Sequence, residues 1–311
     1  MPPPVSPPVS PAPGPGTGWV GGAFGERARC VLAPNPDIMT LDGTNTWVLR
    51  EPGARRSVVV DPGPEILSHL DAVAGFSGGA GEVAVVLLTH GHLDHSEAAR
   101  SFAERVGCGI RALDPAHRLG EEGLVDGDVV AVDGLEVHVV GTPGHTSDSL
   151  SFWVPADGAV LTGDTVLGRG TTVVAHPDGK LGAYLDSLHR LRDLAEAHEV
   201  AQIWPGHGPV VNDALATLDF YLAHRRQRLD QVRDAVRDLT HPAEEPPTPT
   251  PTLAEESPKR ASGRPVAQDV TPHQDDLARR VVERVYVDVA PVLWGAAELS
   301  VRAQLDYLRD H

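Results

Sequence analysis

Six consecutive apolar residues, Val83-Ala-Val-Val-Leu-Leu88, form a short run rich in β-branched valine, which predicts a strand covered on both faces. Leu135-Glu-Val-His-Val-Val140 alternates apolar with polar positions and predicts a strand with one exposed face. Ser57-Val-Val-Val60 and Ala159-Val-Leu161 are further strand-like runs. Each of these segments runs straight into Asp, Thr, Gly or Pro, the residues that end strands in tight turns. Residues 96–106 predict a helix directly after the first strand. Farther on, Leu215, Leu218, Leu222, Leu229, Val232 and Val236 make a helical stripe over residues 213–238, with Asn212 as its expected N-cap. Leu277, Val281 and Val285 form one later stripe, and Val301, Leu305 and Leu308 another, which predicts two short helices. Mixed strands and helices in this order indicate an α/β fold.

Composition marks the boundaries. Residues 1–18 are Pro-rich and uncharged, and read as a disordered tail without the basic start or apolar stretch of a signal peptide. Residues 241–269 are Pro, Glu, Thr and Ser with almost no large apolar residue, and read as a flexible insertion. One domain is expected over 19–212 and a C-terminal helical region over 213–311. Two isolated thiols, Cys30 and Cys108, make no disulfide framework, and no apolar run is long enough to span a membrane, so the cytoplasm is the expected compartment. The formal net charge of −17 opposes polyanions at long range.

The strongest chemical signal is Thr89-His-Gly-His-Leu-Asp-His95 at the end of the first strand. Alternate side chains of an extended segment share a face, so His90 and His92 can hold one cation, while Asp94 and His95, at the turn into the helix, point towards a second. The residue types suit zinc. Gly141-Thr-Pro-Gly-His-Thr146, Leu161-Thr-Gly-Asp-Thr165 and Trp204-Pro-Gly-His-Gly-Pro209 add His145, Asp164 and His207, each on a glycine-containing turn where the backbone can approach a buried ion.

The order H-x-H-x-D-H, His, Asp, His resembles that of the metallo-β-lactamase superfamily. The resemblance implies an αββα sandwich with the metals at one sheet edge, and two Zn²⁺ per chain. The first is held by His90, His92 and His145, the second by Asp94, His95 and His207, and Asp164 bridges both. It also makes Asp61, in Ser57-Val-Val-Val-Asp-Pro-Gly63, a residue that orients the site. A hydroxide shared by the two metals is the implied nucleophile, with Asp94 as the catalytic residue that orients it. Di-iron oxidases of the superfamily carry Glu at the position of His92, so hydrolysis is the expected chemistry.

Asn35-Pro-Asp-Ile-Met-Thr-Leu-Asp-Gly-Thr-Asn-Thr46, Gly163-Asp-Thr-Val-Leu-Gly-Arg-Gly-Thr-Thr-Val173 and the long helix carrying His224-Arg-Arg226 resemble the β-lactamase-like protein 2 family, which includes single-strand-specific endoribonucleases. Two departures stand out: Ser149 occupies a position where family members often carry His, and members normally continue past the last helix. The C-terminal helices then resemble a winged-helix appendage without its wing, and Arg225, Arg226, Arg228, Arg279, Arg280, Arg284 and Arg302 are its candidate phosphate contacts. The leading expectation is therefore phosphodiester cleavage in single-stranded RNA. The alternative is a small-ester or thioester hydrolase resembling glyoxalase II, followed by lactonase or β-lactamase activity and, last, a non-catalytic zinc-stabilised nucleic-acid-binding protein. His176, Thr171 and Thr172 are expected in a loop over the metals, whereas His138, His189 and His224 read as packed or surface residues.

Overall fold

The computed structural model describes residues 18–241, 274–287 and 289–311. The Pro-rich tail up to residue 17 and residues 242–269 of the expected insertion lie outside the described residues.

Eleven strands among the described residues form two sheets. The first holds, in spatial order, β1 (Gly21–Phe24), β2 (Ala28–Leu32), β3 (Asn45–Leu49), β4 (Ser57–Val60), β5 (Val83–Leu87) and β6 (Gly109–Arg111). The second holds β11 (Gln202–Pro205), β10 (Ala159–Gly163), β9 (Leu150–Val154), β8 (Leu135–Gly141) and β7 (Val129–Val132). Strands β4, β5 and β6 run parallel, as do β10 and β11.

The period-two geometry of the strands sorts their side chains into layers. Val58 and Val60 of β4 face the second sheet with Trp47, Leu87, Phe152 and Trp204, whereas Val59 and Val86 face outward onto Leu70, Val73 and Phe102. Those last three residues come from α1 (Leu67–Ser77) and α3 (Ala99–Val106). Trp47 and Trp204 stack at 5.1 Å between the sheets, and such an aromatic pair adds about 1 kcal/mol beyond its burial. On the far side Val160 and Ile203 pack against Tyr184, Leu188 and Leu218 of α4 (Leu181–Ala197) and α5 (Ala214–Thr240). The result is the expected αββα sandwich.

Two local expectations are corrected. The helix expected over residues 96–106 is split into α2 (Leu93–Ser96) and α3, because the Ala98 N–H donates to the Gly63 carbonyl at 3.1 Å and pins the chain where the two helices meet. The N-cap of α5 is Asp213, whose carboxylate accepts from the Ala216 N–H at 3.0 Å; Asn212 is engaged by Gln202 instead.

Helix α5 belongs to two cores. Its first half packs on the second sheet, and its Val232 and Ala235 pack with α6 (Gln274–Val285) and α7 (Trp294–Asp310) through Val281, Val282, Val301 and Leu305. No strand occurs among the described residues after α5, so this region presents helices and no described wing.

His69 on α1 lies buried beside Thr46, its Nε2 2.8 Å from the Thr46 hydroxyl, and burial pushes its imidazole down to about 4. Between the unfolded value near 6.5 and about 4 the unfolded chain binds the extra proton, so this group contributes stability above pH 6.5 that is lost as pH falls through 4. We expect metal-free protein to lose about 2 kcal/mol through this histidine between pH 7 and pH 5. Urea unfolding should show that component removed in His69→Gln; an equal pH dependence in the two proteins would refute it.

Candidate metal centre

The site gathers at the ends of β4, β5, β8, β10 and β11. Just past β4, Asp61 adopts a left-handed backbone at φ 51° and directs its carboxylate along the neighbouring strand end. It accepts from the Thr89 N–H at 2.8 Å and the Thr89 hydroxyl at 2.7 Å, and its Oδ2 stands 2.8 Å from His95 Nδ1. An Nδ1–H facing a carboxylate leaves Nε2 of His95 as the ring nitrogen turned to the centre. The same logic holds for His145, whose Nδ1 faces the Val173 carbonyl at 2.8 Å, and for His207, whose Nδ1 faces the Gly43 carbonyl at 3.1 Å. His90 Nδ1 lies 3.0 Å from the Thr89 hydroxyl, which has already committed its own proton to Asp61.

The remaining ring nitrogens converge in two groups. His92 Nδ1 lies 3.0 Å from His90 Nε2 and 3.1 Å from His145 Nε2. His207 Nε2 lies 3.2 Å from His95 Nε2 and 3.1 Å from Asp94 Oδ2. Asp164 stands at the junction, with Oδ2 3.7 Å from His145 Nε2 and 3.4 Å from His207 Nε2, and Oδ1 3.4 Å from His95 Nε2. Asp164 Oδ1 is buried and accepts no well-formed hydrogen bond. Ring nitrogens that face one another at about 3 Å, beside a buried carboxylate oxygen without a donor, fit the donor set and spacing of bound cations.

The electrostatics agree with that fit. Burial alone would raise the Asp164 carboxyl, yet His207 and His95 beside it hold it well below the usual range. Asp94 is likewise lowered, burial being outweighed by His95 and His207. Burial opposes charge on His207, but Asp164 and Asp94 raise it to about 9. The His90 and His145 imidazoles are lowered, mainly by burial. Burial opposes charge on His95 too, but Asp164, Asp61 and Asp94 raise it well above its ordinary value. One side of the centre thus pairs protonated imidazoles with carboxylates, protons that a bound cation would displace, and the other keeps neutral imidazoles.

Glycine supplies the close approach. A Cβ at Gly206 would lie 2.6 Å from Asp164 Oδ1 and 2.7 Å from His95 Cε1. The turn before His207 can therefore pass the centre only without a side chain.

Above the centre lies a cavity of about 230 Å³ walled by Ile38, Met39, Leu41, Leu167, Val173 and Leu293, with His92, Asp94, His145, Asp164 and His207 in its lining. The apolar wall residues were not singled out from the sequence. Only the run Asp37-Ile-Met-Thr-Leu41 hinted at them, by placing three large apolar residues in a turn-rich segment with no regular period. Among the described residues, the only arginine or lysine in the lining is Arg169, which is ion-paired with Asp42.

Several expected neighbours sit elsewhere. Thr171 and Thr172 do line the cavity, and the Thr172 hydroxyl is 3.2 Å from His145 Nδ1. His176 does not: its N–H donates to the Leu299 carbonyl and its ring lies 3.3 Å from Asp306, because the loop after Val173 turns away to dock on α7. Arg225 is buried, its guanidinium donating to the Thr172 carbonyl at 2.5 Å and lying over the Tyr184 ring. Arg228 donates to the Val285 carbonyl, and Arg279, Arg280 and Arg302 pair with Glu283, Asp276 and Glu298. Most of the arginines expected to meet phosphate are thus engaged within the chain, whereas Arg226 and Arg284 are exposed.

A family model described as the metallo-β-lactamase superfamily matches residues 39–207. The chain belongs to that superfamily. It is a metallo-β-lactamase superfamily hydrolase with a candidate metal-binding His/Asp cluster. A β-lactamase-like protein 2 homolog of Caenorhabditis elegans is 31% identical over 67% of this chain and 70% of its own length. An atrochrysone carboxyl ACP thioesterase of Aspergillus fumigatus is 34% identical over 67% of this chain, which spans 64% of that protein. Among solved structures, a metallo-β-lactamase family protein from Thermus thermophilus superposes with a TM-score of 0.64 at 19% identity, over 91% of this chain and 93% of its own. A β-lactamase domain protein from Burkholderia ambifaria gives 0.66 at 21%, over 93% and 88%. Both share the fold. No helix among the described residues is long and apolar enough to cross a membrane.

Proposed function

We propose that this superfamily member is a binuclear zinc hydrolase that cleaves an ester or thioester bond beside an apolar acyl group. The observation that carries the reading is the cavity: its wall above the candidate metal centre is aliphatic, and its one arginine is neutralised by Asp42. The similarity to a thioesterase supports it. His90, His92 and His145 would hold one ion and Asp94, His95 and His207 the other, with Asp164 placed between the two groups. Bound there, zinc supplies Lewis acidity at the scissile carbonyl and a water acidic enough to attack near neutral pH.

The chain's own residues supply the rest. Ile38, Met39, Leu41 and Leu293 seat the acyl group, whose binding covers them. Asp94, a quarter exposed at the cavity floor, accepts a hydrogen bond from the attacking water and orients it. In thioester hydrolysis a C–O bond forms and the C–S bond breaks; one proton of the water passes by way of the Asp94 carboxylate to the departing sulfur, which leaves as a thiol beside a carboxylic acid. The free thiols Cys30 and Cys108 accord with a cytoplasmic setting for this activity.

Cleavage of single-stranded RNA, which the motif resemblance implies, is the second reading, favoured by exposed Arg226 and Arg284. The paired state of the other arginines and the net charge of −17 weigh against it. Purified protein should hydrolyse hexanoyl-N-acetylcysteamine thioester and lose that activity to a chelator. Chelator-sensitive cutting of single-stranded RNA with no thioester turnover would overturn the proposal.

A further inference from the structure

Among the described residues, the helical region after α5 donates no candidate metal ligand, yet it reaches the centre through Leu293. That residue closes the short 3-10 turn Pro291–Leu293 immediately before α7. The turn is firmly held: the Leu293 N–H donates to the Ala290 carbonyl at 2.8 Å, and the Trp294 indole donates to the Val289 carbonyl at 3.0 Å. The Arg279 guanidinium lies 5.1 Å from the Trp294 ring centroid. Ile38 and Met39 of the catalytic region line the same cavity and are 48% and 47% exposed, while Val292, next to Leu293, is 75% exposed. Apolar side chains left half open around a cavity that leads to a candidate metal pair are what an apolar ligand group would cover.

We infer that Leu293 determines acyl specificity, with the C-terminal helical region forming one wall of the acyl-binding cavity against Ile38, Met39 and Leu41. The inference rests on the ester or thioester reading above. At about 230 Å³ the cavity is smaller than the roughly 300–1,000 Å³ of sites that enclose a whole drug-sized ligand. It therefore takes the acyl portion and leaves the thiol or alcohol portion outside the mouth. A neutral aliphatic group of middle length matches a wall whose one arginine among the described residues is paired with Asp42.

The test is a series of acetyl, hexanoyl and dodecanoyl N-acetylcysteamine thioesters, assayed with the full-length zinc-loaded protein, Leu293→Ala and Leu293→Phe. Leu293→Phe should lower the hexanoyl-to-acetyl ratio of kcat/KM by about tenfold, and Leu293→Ala should raise the dodecanoyl-to-hexanoyl ratio by a similar factor, as methylene-scale changes in a pocket do. Zinc content and urea unfolding establish that each variant is folded. Val292→Asp, at a surface position where folding is not at stake, should lower the dodecanoyl-to-acetyl ratio and decides the matter if the Leu293 variants do not fold. If the parent hydrolyses the series and the ratios stay within twofold, the wall assignment fails alone. If the parent hydrolyses none of the thioesters, the ester and thioester reading fails and the wall assignment falls with it.

Discussion

Asp164→Ala should lower kcat/KM by at least about a thousandfold while leaving the sandwich folded, because it removes the carboxylate that stands between the two ligand groups. Its oxygens approach His145 on one side and His95 and His207 on the other, so no single neighbouring side chain can replace it. Elemental analysis should find zinc reduced from about two per chain to one or fewer. The loss of the negative charge also frees His207 from the neighbour that raises it most, so its proton should be released at lower pH. Activity within tenfold of the parent, or a parent that holds one zinc when fully loaded, would refute the bridging assignment.

Asp61→Ala should weaken zinc binding at the His95 group by about 10–100-fold, the usual effect of removing the partner that orients a histidine ligand. The same change leaves the buried Thr89 N–H without its acceptor, which costs about 1–3 kcal/mol of stability. Alanine also tolerates φ 51° less well than aspartate does. Asp61→Asn keeps an oxygen for the Thr89 N–H and a residue suited to the left-handed backbone, so it should recover most of the stability but not the zinc affinity. Competition with a fluorescent chelator and urea unfolding measure the two effects separately. Equal zinc affinity in the alanine variant and the parent would show that His95 is oriented by something else.

The positions of the candidate ligands were legible because each follows an apolar strand run within a short turn-rich stretch, and strand ends are where a sandwich can bring sequence-distant side chains to one edge. Asp61 was legible for the same reason. The cavity wall was not. Ile38, Met39 and Leu41 lie some 250 residues from Leu293, on segments without period, and their meeting depends on how α7 docks. Arg225 shows the opposite difficulty: in a helical stripe a basic residue reads as solvent-facing, yet the Tyr184 ring and the Thr172 carbonyl hold this one inside. His176 shares a glycine- and threonine-rich loop with residues that do line the site, and spacing alone gives no sign of where that loop turns away.

Each ligand group draws on both sheets. His90 and His92 follow β5 of the first sheet, while His145 and Asp164 follow β8 and β10 of the second; Asp94 and His95 likewise meet His207 from β11. Asn45 of β3 reinforces that seam by donating to the Pro205 and Gly208 carbonyls. Neither group is complete until the sheets have docked, so a metal held there stabilises the docked sandwich over its separated halves. On the proposed zinc reading, a free-zinc concentration a hundred times the dissociation constant would favour the assembled chain by about 2.7 kcal/mol per site, and zinc supply would then help to set how much of this protein persists in the cell.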